Sequence, residues 1–392
     1  MKILIAHNDY GKYSGEEAVV DKMASLFQSQ GHEVAQLRMS TAGCRDSLKG
    51  KMKVFAAGLR CLSGVKAMRE ALKREKPDVV NVHNLYPFIS PAALRECRKA
   101  GVPVIMTVHN FRLICPTGLF MRDGQACELC LQRGNEWGCV KYNCENSRLK
   151  SVAYAARNAL ARRARHYLDC VDRFACITDF QRRKLIEAGY PEDRITVIPN
   201  SCEVTPQHLT LNTQHSTLNY VGFCGRISHE KGIDLILEAA RRLPDINFRL
   251  AGAVGDHALV SDQPDNVTLL GHVSGQDLED FYRNSRFIIM ASRCYEGFPM
   301  AILEAARHGK PTIGPDHGGF TEIIGGNGRK AGGMLFTPGE AESLADKIRT
   351  LWKNPDLCRE LGENASENLR TRYSSEIVAR RWQDLLDDIV KE

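Results

Sequence analysis

What most restricts this chain is a rhythm that runs through the first two hundred residues and then starts again. Residues 3–7, 78–83 and 103–108 are short continuous apolar runs, the pattern of strands covered on both faces. Helix-patterned stretches lie near 16–30, 60–75 and 90–100. Strand, helix, strand in this order builds a doubly wound parallel sheet, because a parallel neighbour needs a crossover that returns the chain to the same end of the sheet. After residue 217 the rhythm resumes with runs at 220–224, 247–250, 267–270 and 286–290, and helical patterns follow the first, third and fourth. Residues 205–217 are polar, contain Pro206 and lack periodicity, as a linker does. At 374–391, Ile377, Val378, Trp382, Leu385, Leu386 and Val390 share one helical face and read as a closing helix. The length agrees, since 392 residues exceed what one hydrophobic core serves. The expected domains are therefore 1–200, with a cysteine-rich insertion at about 112–147, then 201–373, then a terminal helix at 374–392 packing back toward the first domain.

Charge is divided unequally between the halves. Residues 1–200 carry 32 Lys and Arg against 20 Asp and Glu, and the remainder carries 21 against 27. The first half, at +12, is suited to an anionic partner: nucleic acid, a phosphate-bearing membrane surface or an acidic small molecule. Nucleic acid is disfavoured, because the basic residues lack interleaved aromatics and belong to no recognised module. The apolar start breaks at His7-Asn8-Asp9, short of a signal h-region, and no window has the roughly 18 apolar residues of a membrane span. With 14 cysteines spread over an α/β-patterned chain, a reducing cytoplasm is the expected compartment.

The stretch richest in chemistry is Glu296-Gly297-Phe298-Pro299-Met300-Ala301-Ile302-Leu303-Glu304, directly after an apolar strand. Pro299 suits the first position of a helix, whose opening turn presents free amides and the positive end of the helix dipole at the carboxyl end of a parallel strand. Glu304 lies about 7.5 Å beyond Pro299 at about 1.5 Å per residue, so Glu296 and Glu304 can line one pocket at different depths. Two carboxylates so placed suit the hydroxyl-rich ends of a sugar nucleotide. A second element, residues 222–232, follows a strand and opens a helix expected at 232–243; its cations Arg226 and Lys231 favour a diphosphate, and Glu230 is their only evident carboxylate partner.

Together these elements resemble the retaining glycosyltransferases of family 4, which have the GT-B fold of two facing Rossmann-like domains. The family's Glu-x7-Glu signature is Glu296 to Glu304, and its phosphate motif is Gly225-Arg226 with Lys231-Gly232. Val197-Ile198-Pro199-Asn200 resembles the strand end before the interdomain crossing, and Thr107-Val108-His109-Asn110 the histidine-bearing strand. The resemblance implies that Arg226 and Lys231 hold the donor diphosphate. It gives the hexose hydroxyls to Glu296 with the backbone of the loop Gly297, Phe298, Pro299 and Met300, and the ribose to Glu304. It puts His109 beside the donor sugar and acceptor, and Gly15 in the glycine loop near the phosphate; that loop here reads Tyr13-Ser14-Gly15-Glu16, without the double glycine. The implied catalytic set is His109, Glu296, Arg226 and Lys231.

Transfer builds negative charge on the departing phosphate, so fixed cations and a helix dipole are the main lever. No Asp-x-Asp occurs in the sequence, and no cofactor is expected for catalysis. The expected activity is retaining, metal-independent transfer of a hexose-type sugar from a UDP- or GDP-sugar to a saccharide or lipid-linked acceptor in polysaccharide biosynthesis. The alternatives are a GT-B sugar-nucleotide epimerase, a small-acceptor transferase and a non-catalytic sugar-nucleotide binding protein. Cys127 and Cys130 have zinc-ligand spacing, and Cys139 with Cys144, or Cys115, would complete a structural zinc site in the insertion; buried thiols are the plain alternative. Residues 146–168 hold six Lys or Arg and no acidic residue. On a helix, Ala153, Ala156, Leu160, Ala164 and Tyr167 form an apolar stripe, with Lys150, Arg157, Arg162 and Arg165 off it. This is either a core-packed helix with a solvated basic face or, with Lys49, Lys51, Lys53, Arg60 and Lys66, a peripheral contact with anionic lipid at the inner face of the cell membrane.

Overall fold

The computed structural model describes residues 1–391 except 12, 13, 45–49, 51–53, 55, 56, 59, 60, 205–218, 327 and 329. Tyr13, Lys49, Lys51, Lys53, Arg60 and the expected linker thus lie outside the described residues. The chain divides into two compact units: Met1–Phe120 with Glu128–Pro199 and Ala379–Glu392, and Met121–Cys127 with Asn200–Val378.

In the first unit, strands β1 (Lys2–Asp9), β2 (Glu33–Ser40), β3 (Val79–Val82) and β4 (Val104–Val108) precede a two-residue-per-strand hairpin of β5 (Met121–Arg122) and β6 (Gln125–Ala126). Strands β7 (Arg173–Cys176) and β8 (Ile195–Val197) follow. The sheet is parallel throughout, in the order β2-β1-β3-β4-β7-β8. Its centre is dry: Leu4, Val80, Val82, Val104 and Phe174 are buried against Met68, Leu72 and Leu94 from the crossover helices Leu62–Glu75 and Leu94–Lys99. Strand β2 escapes the apolar-run criterion because it is an edge strand with no fully buried residue. The insertion does not stay whole. Its hairpin β5-β6 groups with the second unit, although the residues on either side belong to the first.

The second unit repeats the architecture with β9 (Tyr220–Cys224), β10 (Phe248–Ala251), β11 (Val267–Gly271), β12 (Ser285–Ile289), β13 (Thr312–Pro315) and β14 (Gly333–Phe336). The parallel order is β11-β10-β9-β12-β13-β14. Chain direction across the sheet reverses between β9 and β12, the switch point at which open α/β sheets place ligands. Helices Ile233–Arg241, Gly275–Asn284 and Met300–Arg307 follow β9, β11 and β12.

The final helix runs Ser375–Lys391 and from Ala379 belongs to the first unit. Trp382 is buried edge-on to Phe27, ring centroids 5.4 Å apart. The expected face is nearly right but rotated at its end: Ile389 is buried, whereas Val390 is 51% exposed.

Candidate active site

The second unit gathers its signature residues at the carboxyl ends of the neighbouring strands β9 and β12. After β9 the chain turns through His229–Lys231, a single 3-10 turn, into the helix Ile233–Arg241. Gly232 makes the junction at φ +68°, and a Cβ there would come 1.9 Å from the carbonyl oxygen of Ala291 after β12. Only glycine meets both conditions, which brings the two loops together. Lys231 Nζ consequently lies 2.5 Å from Glu296 Oε1, and Ser292 Oγ donates to the same oxygen at 2.7 Å.

This pairing corrects the reading that Glu230 is the only carboxylate near the two cations. Lys231 takes Glu296, and Arg226 takes Glu230. Burial opposes ionisation of Glu296, but the Lys231 charge and hydrogen bonds from Lys231 and Ser292 outweigh it and hold the carboxyl below its ordinary range. Burial likewise opposes the Lys231 ammonium, and Glu296 outweighs it, raising the lysine. The pair is therefore doubly charged at neutral pH. Arg226 is more exposed, with Nε 3.4 Å from Ser228 Oγ.

Pro299 stands at the N-cap, and the helix begins at Met300 rather than at the proline. Phe298 is buried edge-on to Tyr373, centroids 5.3 Å apart, so its side chain anchors the loop. One turn into the helix, Glu304 Oε2 accepts the Tyr282 hydroxyl at 2.6 Å, and Tyr282 stacks on His308. Burial and the Glu304 charge keep that phenol protonated. Spacing gave no hint of Tyr282, Ser292 or Arg293. Arg293 pairs with Asp234 and donates to the Gly124 carbonyl at 3.2 Å, pinning the β5-β6 hairpin beside His229, whose Cε1 would lie 3.1 Å from a Cβ on Gly124.

In the first unit, His7, His83 and His109 lie at the carboxyl ends of the adjacent strands β1, β3 and β4. His83 Nδ1 is 2.7 Å from His109 Nε2, with the rings stacked 5.0 Å apart, and His7 stands edge-on to His83 at 6.1 Å. Burial lowers all three, that of His7 to about 4, so the imidazoles are neutral at pH 7. A pocket beside them is lined by Glu16, Asn84, Tyr86, His109 and Arg112. Glu16 Oε2 accepts the Tyr10 hydroxyl at 2.8 Å, and Arg112 donates to Asn84 Oδ1 at 2.9 Å. Arg112 stays charged, because Tyr10 and Glu16 outweigh its burial. Gly15 opens the helix Gly15–Ser29 behind the N-cap Ser14, and nothing lies within 4 Å of the place its Cβ would take.

Two expectations need revision. Arg157 is not part of a solvated basic face: it is buried, donates to the Pro116 carbonyl at 3.0 Å and lies over the rings of Tyr86 and Tyr154. Arg162 and Arg165 are bound to Glu136 and Asp169, and Lys66 faces Glu70 at 3.7 Å. Of the insertion cysteines, Cys127 belongs to the second unit and Cys115, Cys130, Cys139 and Cys144 to the first. Cys139 and Cys144 are neighbours, a contact that with burial raises the Cys139 thiol. Among the described residues, the one group of three or more potential ligands with all ligand atoms within 4.8 Å is His7, Asp9 and Glu17, so no three cysteine sulfurs are gathered in that way.

Residues 13–205 match the family Glycosyltransferase Family 4, and residues 212–368 match Glycosyl transferases group 1. Alpha-galactosylglucosyldiacylglycerol synthase of Streptococcus pneumoniae is 28% identical over 52% of this chain and 57% of its own length. O-antigen chain mannosyltransferase C of Escherichia coli is 26% identical over 51% and 56%. Alpha-D-kanosaminyltransferase of Streptomyces kanamyceticus is 24% identical over 78% and 76%. Against the first two, the match spans just over half of each relative. Among solved structures, the Anabaena protein Alr3699/HepE in complex with UDP and glucose superposes with TM-score 0.67 at 17% identity, over 99% of this chain and 100% of that one. Sucrose-phosphate synthase of Thermosynechococcus elongatus does so with TM-score 0.71 at 15% identity, over 100% and 99%.

Proposed function

We propose, from the premise that this chain belongs to the family 4 glycosyltransferases and has their GT-B fold, that it transfers a hexose-type sugar from a nucleotide-diphosphate sugar to a saccharide or lipid-linked acceptor, with retention of configuration. The observation that carries the reading is the Lys231–Glu296 pair at the switch point of the second sheet. In the free enzyme each charge neutralises the other. A donor would separate their tasks: Lys231 and Arg226 would take the diphosphate, and Glu296, released, would accept hydroxyls of the sugar. Glu304, already oriented by Tyr282, would accept from the ribose. As the sugar–phosphate bond breaks, the growing phosphate charge would meet a fixed ammonium, a guanidinium and the amides opening the helix at Met300; these supply the electrostatic stabilisation without a resident metal ion. The polysaccharide and glycolipid activities named for the relatives support an acceptor of that class.

Incubation with a panel of UDP- and GDP-sugars and a saccharide acceptor, with and without chelator, is the test. The expected result is nucleotide release with one donor, unaltered by chelator, and a product with the donor's anomeric configuration. Inversion would overturn the retaining reading; an altered free sugar nucleotide would point to epimerisation, and binding without turnover to a non-catalytic role. The structural zinc expected of Cys127, Cys130, Cys139 and Cys144 is tested separately, by metal analysis of the purified protein before and after Cys130→Ser: about one equivalent lost with the substitution would support it against the ungathered sulfurs, and no zinc would reject it.

A further inference from the structure

His83, 2% exposed at the carboxyl end of β3, has no part in the proposed transfer, yet each of its ring nitrogens has a definite setting. Nδ1 lies 2.7 Å from Nε2 of the stacked His109 ring, so one hydrogen sits between the two nitrogens. Nε2 is enclosed and has no hydrogen-bond partner among the described residues. The neighbouring His7 ring offers it no acceptor. His7 Nδ1 already accepts from the Asn84 amide at 3.4 Å, which leaves the hydrogen of that neutral ring on its own Nε2. On the half-buried His109, the second nitrogen, Nδ1, is neither hydrogen-bonded among the described residues nor enclosed. Its ring lines the pocket that it shares with Glu16 and Arg112.

Two neutral arrangements are open to the pair. If His83 accepts, its own hydrogen is on Nε2, an enclosed N–H with no acceptor, and His109 turns a bare Nδ1 to the pocket. If His83 donates, its enclosed Nε2 is a lone pair and His109 carries its hydrogen on Nδ1. In protein interiors an N–H without an acceptor is rarer than an acceptor without a donor, which favours the second arrangement. Glu16 favours it independently: its carboxylate lines the same pocket, its charge acts on His109, and its Oε1 has no partner among the described residues. A negative oxygen attracts an N–H and repels a lone pair.

We infer that His83 is a positioning residue: it donates from Nδ1 to His109 Nε2 and thereby fixes His109 as a hydrogen-bond donor, through Nδ1, to a sugar hydroxyl in this pocket. A hydroxyl fits because it accepts from His109 and donates to Glu16 at once, whereas a phosphate would meet the charge of the carboxylate. Only the ownership of that hydroxyl, by a sugar, rests on the proposed transfer; the place of the hydrogen does not.

The test is nitrogen NMR of the full chain with isotopically labelled histidine, which separates a protonated ring nitrogen from a bare one. Loss of signals in His83→Phe and His109→Asn assigns the two rings. Wild type is expected to show both with hydrogen on Nδ1 and a bare Nε2, and a nitrogen–nitrogen coupling across the hydrogen bond with the hydrogen on the His83 side. Kinetics then compare wild type, His83→Phe and His83→Asn. Phenylalanine keeps a stacked ring and removes the donor, so kcat/KM should fall about tenfold, the worth of one hydrogen bond. Asparagine can donate from the same place, so His83→Asn should stay within about threefold of wild type. KM carries the loss for the substrate that supplies the hydroxyl, and separate titration of sugar nucleotide and acceptor tells which of the two it is. Hydrogen on Nε2 of wild-type His109 would overturn the inference. So would equal kcat/KM in all three proteins, or a loss as large in His83→Asn as in His83→Phe. Absence of turnover with any sugar nucleotide would count against the proposed transfer alone, since the spectra are read without it.

Discussion

At the residue scale two loops of the second unit meet in Lys231 and Glu296, 65 positions apart and 2.5 Å from each other. Both residues were legible as members of spaced motifs; their partnership was not, because it is created where two loops meet across the sheet. Lys231→Ala is expected to lower kcat by about 10²–10³, the usual loss when a fixed donor to developing oxyanion charge is removed, and steady-state kinetics will show it. Gly232→Ala should cost at least about 2 kcal/mol, combining a left-handed backbone with a clash against the Ala291 carbonyl, and a lower urea midpoint is the readout. The buried histidines make a pH prediction. His7 titrates at about 4 in the folded chain and near 6.5 unfolded, so the unfolded chain binds the proton first as pH falls. Its contribution to stability is full above about 6.5 and is lost progressively toward 4, a total of about 3 kcal/mol. Urea unfolding at pH 7 and pH 4.5 should show that fall, and His7→Gln should reduce it. Only His109 was readable from the sequence; His7 and His83 join it because β1, β3 and β4 are neighbours, a fact of topology that no local spacing carries.

At the element scale, runs of apolar residues located β1, β3, β4 and β9 to β12 to within a residue or two, but not the interior strands β7 and β13. The failures have physical causes. Edge strand β2 is half exposed and reads as mixed, while β13, Thr-Ile-Gly-Pro, and β14, Gly-Met-Leu-Phe, carry glycine or proline that breaks the apolar run. The helix Arg148–Arg163 buries the side roughly opposite the stripe of Ala153, Ala156 and Leu160, because Arg157 is accommodated inside by the neighbouring Tyr154 ring and by the Tyr86 ring and Pro116 carbonyl of distant segments. The terminal helix was read nearly correctly because Trp382 dominates its face. Trp382→Ala should destabilise the protein by about 3–5 kcal/mol by emptying the space against Phe27, measured by chemical unfolding.

At the scale of the whole molecule, the charge division takes on a different meaning. The two motif cations of the acidic half each carry a carboxylate of their own, so that half can hold a diphosphate site without being basic overall. In the basic half, Arg162 and Arg165 are bound to Glu136 and Asp169, and Arg157 is buried against aromatic rings. Net charge therefore pointed to an anionic partner but not to its place. The central claim is that the loops after β9 and β12 hold a nucleotide diphosphate. Calorimetric titration of UDP and of GDP into wild type, Lys231→Ala and Glu304→Ala tests it most directly. Wild type is expected to bind one nucleotide, with at least about a tenfold loss in each variant from removal of a charge-assisted contact worth about 1.5–3 kcal/mol. Equal affinity in all three proteins would contradict it.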